Sequence, residues 1–371
     1  MTTNSKYRGV KLYGVLLHGG HGTRLRPLTH TGPKQLIRVA GRPVSEWCLE
    51  DLRDSGVREV AVVLGDLAPE RVVEYYRDGR WLGLSITYVY QGYPYGLAHA
   101  VYCVRDFVGD EPFVVYLGDN ILVEGIRRYV KRFEESDADA MVLLVRVPNP
   151  QRFGVAKFDE RGRLVGLVEK PRVPPSDYAL VGVYFFRPPH IFRVIEGLRP
   201  SWRGELEITD AIQGLIDRGF KVEYDFVSGW WKDTGTPEDI LEANRILLDH
   251  KYPLKVVKGT VDEGAVVEGR VFVDEGAVVE KGAVVRGPVY IGRGTVVGAD
   301  TYVGPYASIG FNCVLKNIEI ENSVVMDDVV LEDVGVRIEG SIIRSGTRIG
   351  RRVGRPSAMR LIVGEKTQIL L

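Results

Sequence analysis

A glycine-rich, basic run at residues 19–25 has the composition of a phosphate-binding loop. Its glycines let backbone amides approach an anion closely, and Arg24 adds a planar cation suited to phosphate oxygens. Leu25 stands where a dinucleotide-binding fingerprint requires glycine, and the P-loop motif is absent, so neither common nucleotide motif applies. A tight turn with a solvated arginine is the alternative interpretation. Lys34 supplies a second cation and favours phosphate binding.

Two aspartates follow apolar runs in the same way and are equivalent by local sequence. Asp119 comes after the run at residues 113–117, and Asp66 comes after the run at residues 59–64. Magnesium takes one or two carboxylates together with substrate phosphates, so an aspartate at a strand end is a sensible ligand. An aspartate in that place is more often a turn residue or helix cap. The residues alone leave the choice between Asp66 and Asp119 open.

Two further polar sites have a strong structural interpretation when each is taken alone. Asp233, in Trp231-Lys232-Asp233-Thr234-Gly235, precedes a predicted helix that it can help to cap. Glu169 and Lys170 offer an acid and a base that can hold a sugar hydroxyl and its phosphate, but a strand-end ion pair is the favoured interpretation when they are taken alone.

The elements that must position these residues alternate along the first two thirds of the chain, a pattern typical of a largely parallel sheet with helices on both faces. Ligands of such sheets bind beyond the carboxyl ends of the strands. The apolar runs predict strands at 12–17, 59–64, 86–90, 113–117, 140–147, 180–186 and 221–226. Amphipathic stretches predict helices at 45–53, 69–77, 97–106, 126–135, 190–197, 208–218 and 237–250.

A six-residue repeat replaces this pattern after about residue 255. It predicts a β-helix, in which aliphatic side chains of successive coils stack inside. The phase slips around 317–322 and again before residue 343, so loops or irregular coils are expected there, and 351–371 is left without assignment. We therefore predict a first domain at 1–250 and a hexapeptide-repeat domain at 251–371. The repeat places aliphatic residues at Val261, Val267, Val273, Val279, Val285, Ile291, Val297, Val303, Ile309, Leu315, Val325, Leu331, Ile343 and Ile349.

Composition narrows the class of ligand. The 371 residues carry 49 Lys and Arg against 49 Asp and Glu, so no global field favours nucleic acid or a membrane, and a small charged ligand is expected. Cys48, Cys103 and Cys313 lie far apart and show no zinc or disulfide spacing, which favours a reducing cytosol. The polar start at 1–11 and the absence of a long apolar run predict a cytoplasmic protein that is not exported.

Taken together, these segments resemble the sugar-nucleotide pyrophosphorylase family, and within it the long-form glucose-1-phosphate thymidylyltransferases. The resemblance covers nearly the whole chain and depends on several motifs in one order. They are residues 19–36, Gln91 with Gly96-Leu97-Ala98-His99-Ala100, Leu117-Gly118-Asp119-Asn120, Phe153-Gly154-Val155-Ala156, Val168-Glu169-Lys170-Pro171, residues 203–210 and Trp231-Lys232-Asp233-Thr234-Gly235.

The resemblance implies an α/β fold: a Rossmann-like nucleotidyltransferase domain with a mixed sheet, followed by a left-handed parallel β-helix. It also implies Mg²⁺ on Asp119 and Asp233, which favours Asp119 over Asp66. Arg24, Lys34 and Lys170 become the catalytic residues, and Arg203 a candidate phosphate contact. The implied nucleotide-binding residues are Gly19, Gly20, Gly22, Thr23, Arg24, Gln91 and Gly96, and the implied sugar-phosphate-binding residues are Gly154, Glu169, Lys170, Gly182 and Tyr184.

The implied reaction is attack by the sugar phosphate of glucose 1-phosphate on the α-phosphorus of dTTP, with pyrophosphate leaving. UTP is the rival nucleotide, since one methyl group is worth only about 1–3 kcal/mol in a hydrophobic pocket. A homo-oligomer is expected.

The sequence leaves two other functions to consider. The first is a bifunctional enzyme with an amino-sugar acetyltransferase tail, or a pure acyltransferase, but all six histidines precede the repeats, and a β-helix acyltransferase usually needs a histidine base there. A non-catalytic sensor is the other, and the retained charged residues argue against it.

Overall fold

The computed structural model describes residues 11–351, so the polar start at 1–10 and most of the unassigned tail, 352–371, lie outside the described residues. Eight α-helices and thirteen strands precede the repeats in the described part. The helices are α1 Val44–Asp54, α2 Pro69–Tyr76, α3 Leu97–Cys103, α4 Arg105–Val108, α5 Arg127–Glu135, α6 His190–Glu196, α7 Ile208–Asp217 and α8 Pro237–Lys251. The strands are β1 Tyr13–His18, β2 Arg38–Val39, β3 Arg42–Pro43, β4 Glu59–Gly65, β5 Ser85–Gly92, β6 Phe113–Leu117, β7 Asn120–Leu122, β8 Ala140–Arg146, β9 Gly154–Phe158, β10 Leu164–Glu169, β11 Tyr178–Phe186, β12 Val222–Phe226 and β13 Trp231–Asp233.

The repeat region is a ladder of short strands. They are β14 Val256–Val257, β15 Thr260–Val261, β16 Val266–Glu268, β17 Val271–Val273, β18 Val278–Val279, β19 Val284–Arg286, β20 Val289–Ile291, β21 Val296–Val297, β22 Tyr302–Val303, β23 Ser308–Ile309, β24 Val314–Lys316, β25 Glu319–Glu321, β26 Val324–Val325, β27 Val330–Glu332, β28 Ile338–Glu339, β29 Ile342–Ile343 and β30 Arg348–Gly350.

The predicted elements are confirmed, and most of their ends agree to within two residues. The exception is the helix expected at 97–106, which is divided at Val104 into α3 and α4. Strands β9 and β10, the short pair β7 and β13, and the hairpin of β2 and β3 were not predicted.

Contacts divide the chain into two compact units that are not continuous in sequence. Among the described residues, the first unit contains 11–21, 31–35 and 45–233, and the second contains 22–30, 36–44 and 234–351. The linear boundary at residue 250 stays a prediction.

The first unit is built on a mixed sheet of nine strands. Its main path runs β10-β9-β11-β6-β1-β4-β5, while β8 joins β11 and β12 joins β8. Strand β1 is parallel to β4 and β6, and β4 is parallel to β5, as the apolar runs indicated. Strand β11 is antiparallel to β6, β8 and β9, so the largely parallel expectation holds only for one side. The mixed sheet that the resemblance implied is confirmed.

The second unit contains the left-handed parallel β-helix, whose three sheets each pair strands one coil apart. Val273 pairs with Ile291, so one coil takes three hexads, and the hexad side chains of β17 and β20 are fully buried. At the predicted phase slip the ladder continues through β25, and Ile309 pairs with Val325 rather than with residue 327. The coil is therefore two residues shorter at this point, so the expectation of an irregular coil around 317–322 is confirmed, while β25 lies where a loop was the alternative. Within residues 11–351, no helix is long and apolar enough to cross a membrane.

Candidate active site

The glycine-rich loop leaves the carboxyl end of β1 and runs beside Gln91. A Cβ placed on Gly19 would lie 3.5 Å from Gln91 Oε1, and Gly20 adopts a φ of +89° that favours glycine. Gln35 Nε2 donates to the Gly19 carbonyl at 2.7 Å and fixes the loop from the other side. The first unit thus brings Gly19, Gly20 and Gln91 together, as the resemblance implied.

Asp66, the aspartate that resembles Asp119 by local sequence, has a different partner. Its carboxylate oxygens lie 3.1 and 3.2 Å from Nε2 of His21 in the glycine-rich loop. The His21 ring also contacts the edge of Tyr93, with centroids 6.1 Å apart. Asp66 therefore ties the loop to the end of β4.

Gln91 and Gly96 are held by residues 203–210, a segment for which the sequence indicated only a phosphate contact. Gln91 Nε2 donates to the Gly96 carbonyl at 3.0 Å. Gly96 has a φ of +111°, and a Cβ there would lie 2.4 Å from the Leu206 carbonyl oxygen. Leu206 N donates in turn to the Tyr95 carbonyl at 2.8 Å. A larger residue at position 96 would therefore push this loop away from Leu206.

Asp119 lies just beyond β6, with Lys34 on one carboxylate oxygen and Asn120 on the other. Lys34 Nζ donates to Asp119 Oδ2, and Asn120 Nδ2 donates to Oδ1 at 2.9 Å. Burial alone would raise the pKa of Asp119, but the Lys34 charge and these hydrogen bonds hold it below its usual range. Asp119 is therefore an ionised carboxylate at neutral pH.

Asp233 reaches the same place from a distant part of the sequence. Strand β13 pairs antiparallel with β7, and Asp233 lies opposite Asn120, the neighbour of Asp119. In the described part of the chain, no group of three or more His, Cys, Asp or Glu side chains is placed to hold a metal. Two carboxylates fit magnesium nonetheless, because this ion uses one or two of them and completes its shell with substrate phosphates and water.

Asn120 organises the middle of this site, and sequence reasoning gave it no role of its own. Its Oδ1 accepts from Trp231 Nε1 at 2.8 Å and from Gly182 N at 3.2 Å, while Nδ2 holds Asp119. A Cβ on Gly182 would lie 2.7 Å from Asn120 Cγ, so glycine there leaves room for the amide. One buried side chain thus joins β11, β13 and the Asp119 carboxylate.

The expected sugar-phosphate residues Gly154, Glu169 and Lys170 form a second group. Gly154 on β9 pairs with Glu169 on β10, and a Cβ at Gly154 would lie 2.6 Å from Thr209 Cγ2. Thr209 Oγ1 donates to Glu169 Oε2 at 3.2 Å. Lys170, at a φ of +42°, places Nζ 3.7 Å from Glu169 Oε1. The local pair that the sequence indicated is present, with Thr209 as an additional partner.

Arg203 lies among carboxylates. Its guanidinium is 3.6 Å from Glu169, 3.0 Å from Glu205 and 3.1 Å from Glu207. Burial and the Glu207 charge raise the pKa of Glu169, against the lowering effects of Lys170, Thr209 and Arg203. Arg203 thus forms ion pairs with three carboxylates and orders the acidic side of the group, and its contact with phosphate stays a prediction.

Tyr184, the last of the expected sugar-phosphate residues, is 4% exposed on β11. Burial raises the pKa of its hydroxyl far above the ordinary value, and the charges of Glu169 and Asp119 add to this effect. Tyr184 is thus a buried, neutral phenol within electrostatic reach of Glu169 and Asp119.

His18, at the end of β1, points into the protein interior. It is 2% exposed, and its Nε2 lies 3.1 Å from Ser45 Oγ, which in turn lies 2.6 Å from the Tyr76 hydroxyl. Burial lowers the pKa of His18 to about 3, so the ring is neutral.

The remaining nucleotide-binding candidates, Gly22, Thr23 and Arg24, belong to the second unit. Gly22 has a φ of +57°, and its carbonyl accepts from Thr29 Oγ1 at 2.8 Å. A Cβ on Gly235 would lie 2.9 Å from an Arg24 guanidinium nitrogen, so this glycine leaves room for the cation. Gly235 directly follows Thr234, just before α8.

Comparison with known proteins agrees with this geometry. Residues 13–250 match the family described as Nucleotidyl transferase. A low-salt glycan biosynthesis nucleotidyltransferase, Agl11, of Haloferax volcanii is 53% identical over 96% of this chain and 99% of its own length. A glucose-1-phosphate thymidylyltransferase of Streptomyces antibioticus is 45% identical over 96% of this chain and 98% of its own length. The solved structure of a UDP-glucose pyrophosphorylase complexed with UDP-glucose has a TM-score of 0.57 and 25% identity, over 64% of this chain and 99% of that one.

The fold and these relatives define a nucleotidyltransferase, an enzyme class of nucleotide-sugar biosynthesis. The chain belongs to the nucleotidyl transferase family, among the sugar-nucleotide pyrophosphorylases.

Proposed function

We propose that this enzyme transfers a thymidylyl group from dTTP to glucose 1-phosphate, releasing pyrophosphate and forming dTDP-glucose. The observation that carries the proposal is the placement of Asp233 opposite Asn120, beside the Lys34–Asp119 pair. In the proposed site the carboxylates of Asp119 and Asp233 would hold the metal, and the Lys34 ammonium would neutralise the triphosphate. The Streptomyces antibioticus relative, which bears the name of this activity, supports the choice of reaction.

Each half of the site handles one anion. In the proposed reaction Arg24 and Lys34 neutralise the triphosphate and its leaving group, while Gln91 and Gly96 face the base. Glu169 accepts a hydrogen bond from a sugar hydroxyl, and Lys170 holds the sugar phosphate close to the triphosphate despite their repulsion. Such a transfer depends on positioning and charge neutralisation and needs no nucleophilic side chain.

Asp119 and Asp233 are the proposed magnesium ligands, and the ion they hold would neutralise phosphate charge as it develops at the α-phosphorus. Asn120 keeps the Asp119 carboxylate oriented through its amide hydrogen bond. Lys34 donates to Asp119 Oδ2 in this structure, and in the proposed reaction it would exchange this carboxylate partner for a phosphate oxygen.

The metal proposal is tested by a double variant, Asp119→Asn with Asp233→Asn, assayed for pyrophosphate release across a range of magnesium concentrations. We expect loss of turnover at every concentration. Asp225→Asn is the matched control, because this aspartate also lies near the end of a strand, β12, but pairs with Arg132. Undiminished turnover of the double variant would remove both residues from the metal site.

The choice of nucleotide and sugar is tested by pyrophosphate release from dTTP, UTP, ATP, CTP and GTP, each with several sugar 1-phosphates. We expect the highest kcat/KM for dTTP with glucose 1-phosphate. The UDP-glucose pyrophosphorylase fold makes UTP the rival. A preference for UTP would replace the nucleotide and leave the site assignment unchanged, whereas no release from any pair would refute the proposed function.

A further inference from the structure

The second unit joins the β-helix to two segments from the beginning of the chain, residues 22–30 and 36–44. The later segment is the hairpin of β2 and β3, whose turn residues Ala40 and Gly41 have φ values of +48° and +84°. The earlier segment contains Arg24. Contacts inside this unit therefore decide where a predicted triphosphate-binding residue is held.

The β-helix contacts the hairpin through Arg38, a buried arginine of β2. Arg38 is 7% exposed, donates from Nε to Asp327 Oδ2 at 3.0 Å, and lies 4.1 Å from the centroid of the Phe311 ring. Gly41 N donates to Ser308 Oγ at 3.0 Å. Three coil residues thus fix the hairpin.

Asn244, in the middle of α8, ties this assembly together. It is 1% exposed, its Oδ1 accepts from Ala40 N at 2.8 Å, and its Nδ2 donates to the Tyr306 carbonyl at 2.9 Å. One side chain therefore joins the helix, the hairpin and a coil of the β-helix. At the end of α8, Arg270 donates to Asp249 Oδ1 at 2.5 Å and provides a second attachment.

The Arg24 guanidinium lies next to the other end of α8. Thr236 caps the helix by accepting from Asp239 N at 3.3 Å, and Gly235, the residue before it, lies against the Arg24 guanidinium. Backbone hydrogen bonds connect the turns of this fifteen-residue helix, so the helix moves as one body. A shift at its middle therefore reaches its first turn.

We propose that Asn244 is a positioning residue for Arg24, and that the β-helix is a working part of triphosphate binding in this enzyme. The β-helix acts on Arg24 through α8: it holds Asn244, Asn244 sets the helix, and the helix start sets the guanidinium. The kinetic part of this inference rests on the proposed function, whereas the structural part does not.

The test compares full-length Asn244→Ala with Thr295→Ala. Thr295 is a matched control because its Oγ1 is also buried and also bridges two backbone groups, accepting from Cys313 N at 3.0 Å and donating to the Gly310 carbonyl at 2.7 Å. Thr295 lies inside the β-helix and makes none of the hydrogen bonds to the hairpin that are described above. The two variants should lose similar stability, so only Asn244→Ala reports on positioning.

Hydrogen exchange of residues 22–30 is the first readout, and it requires no activity. We expect exchange there to accelerate in Asn244→Ala and to stay at the parental rate in Thr295→Ala. Equal exchange in the two variants would overturn the inference.

Steady-state kinetics is the second readout. We expect the KM for dTTP to rise about tenfold in Asn244→Ala, since Arg24 loses its alignment with phosphate, while the KM for glucose 1-phosphate stays within about twofold. An equal rise in both KM values would indicate general loosening and would contradict the inference. If the parent enzyme releases no pyrophosphate at all, the proposed function fails while the exchange result still decides the positioning role.

Asp327→Asn covers the case in which Asn244→Ala does not fold. This change weakens the ion pair with Arg38 but keeps the carbonyl oxygen that accepts from Phe311 N at 2.8 Å. We expect the same selective changes in exchange and KM at smaller size. Their absence in a folded Asp327→Asn protein would likewise overturn the inference.

Discussion

Replacing Asn120 with alanine should weaken both the fold and the reaction. The change removes the acceptor of two buried donors, Trp231 Nε1 at 2.8 Å and Gly182 N at 3.2 Å. A buried donor without an acceptor costs about 1–3 kcal/mol, so the free energy of unfolding should fall by roughly 2–6 kcal/mol. Water that enters the space left by the amide moves the result toward the lower value.

The same change removes the donor that orients Asp119. Loss of a residue that orients a metal ligand typically lowers metal affinity or activity about 10- to 100-fold, and we expect a loss of that size in kcat/KM. Urea unfolding measures the loss of stability. Pyrophosphate release, assayed without urea at a low temperature at which the variant is folded, measures the loss of activity. Thr295→Ala is the control, with a stability loss and parental activity. Parental stability and parental activity in Asn120→Ala would refute the role assigned to Asn120.

Three further predictions concern neighbouring residues. Burial holds the pKa of His18 at about 3 against 6.5 unfolded, so the unfolded chain takes up the extra proton as pH falls, and stability is lost below the unfolded pKa. Urea unfolding at pH 7 and pH 5 should show that His18 lowers the free energy of unfolding by about 2 kcal/mol at pH 5. His18→Gln should remove this contribution to the pH dependence of stability. Gly182→Ala should lose about 1–3 kcal/mol through overpacking, whereas Gly197→Ala, with its nearest neighbour at 3.6 Å, should melt close to the parent, and equal melting of both would contradict the clash. Lys34→Gln should lower kcat/KM for the nucleotide about 100-fold or more in the pyrophosphate assay, and an unchanged value would remove Lys34 from the triphosphate site.

Features that depend on local periodicity could be predicted from the sequence. Strands β1, β4 and β6 are buried on both faces, so each appears in the sequence as a continuous apolar run. Each side of a β-helix coil takes one hexad, so its aliphatic residue recurs every six positions. Both patterns can be recognised in a short stretch of sequence. The hairpin of β9 and β10, with strands of five and six residues, was not predicted.

Features that depend on pairing between distant segments could not be predicted. Strand β13 meets β7 from more than a hundred residues away, and Arg38 meets Asp327 across 289 positions. For the same reason the residues alone left Asp66 and Asp119 equivalent: the difference lies in their partners, His21 for one and Lys34 with Asn120 for the other. The family resemblance favours Asp119 without any knowledge of these contacts.

Isotope tracing tests the central claim most directly. The enzyme is given glucose 1-phosphate labelled with ¹⁸O at the three non-bridging phosphate oxygens, together with unlabelled dTTP, and the products are weighed by mass spectrometry. Attack of the sugar phosphate on the α-phosphorus predicts that all of the label stays in the nucleotide sugar and that the released pyrophosphate carries none. Label in pyrophosphate, or a nucleotide sugar without the full label, would contradict the account.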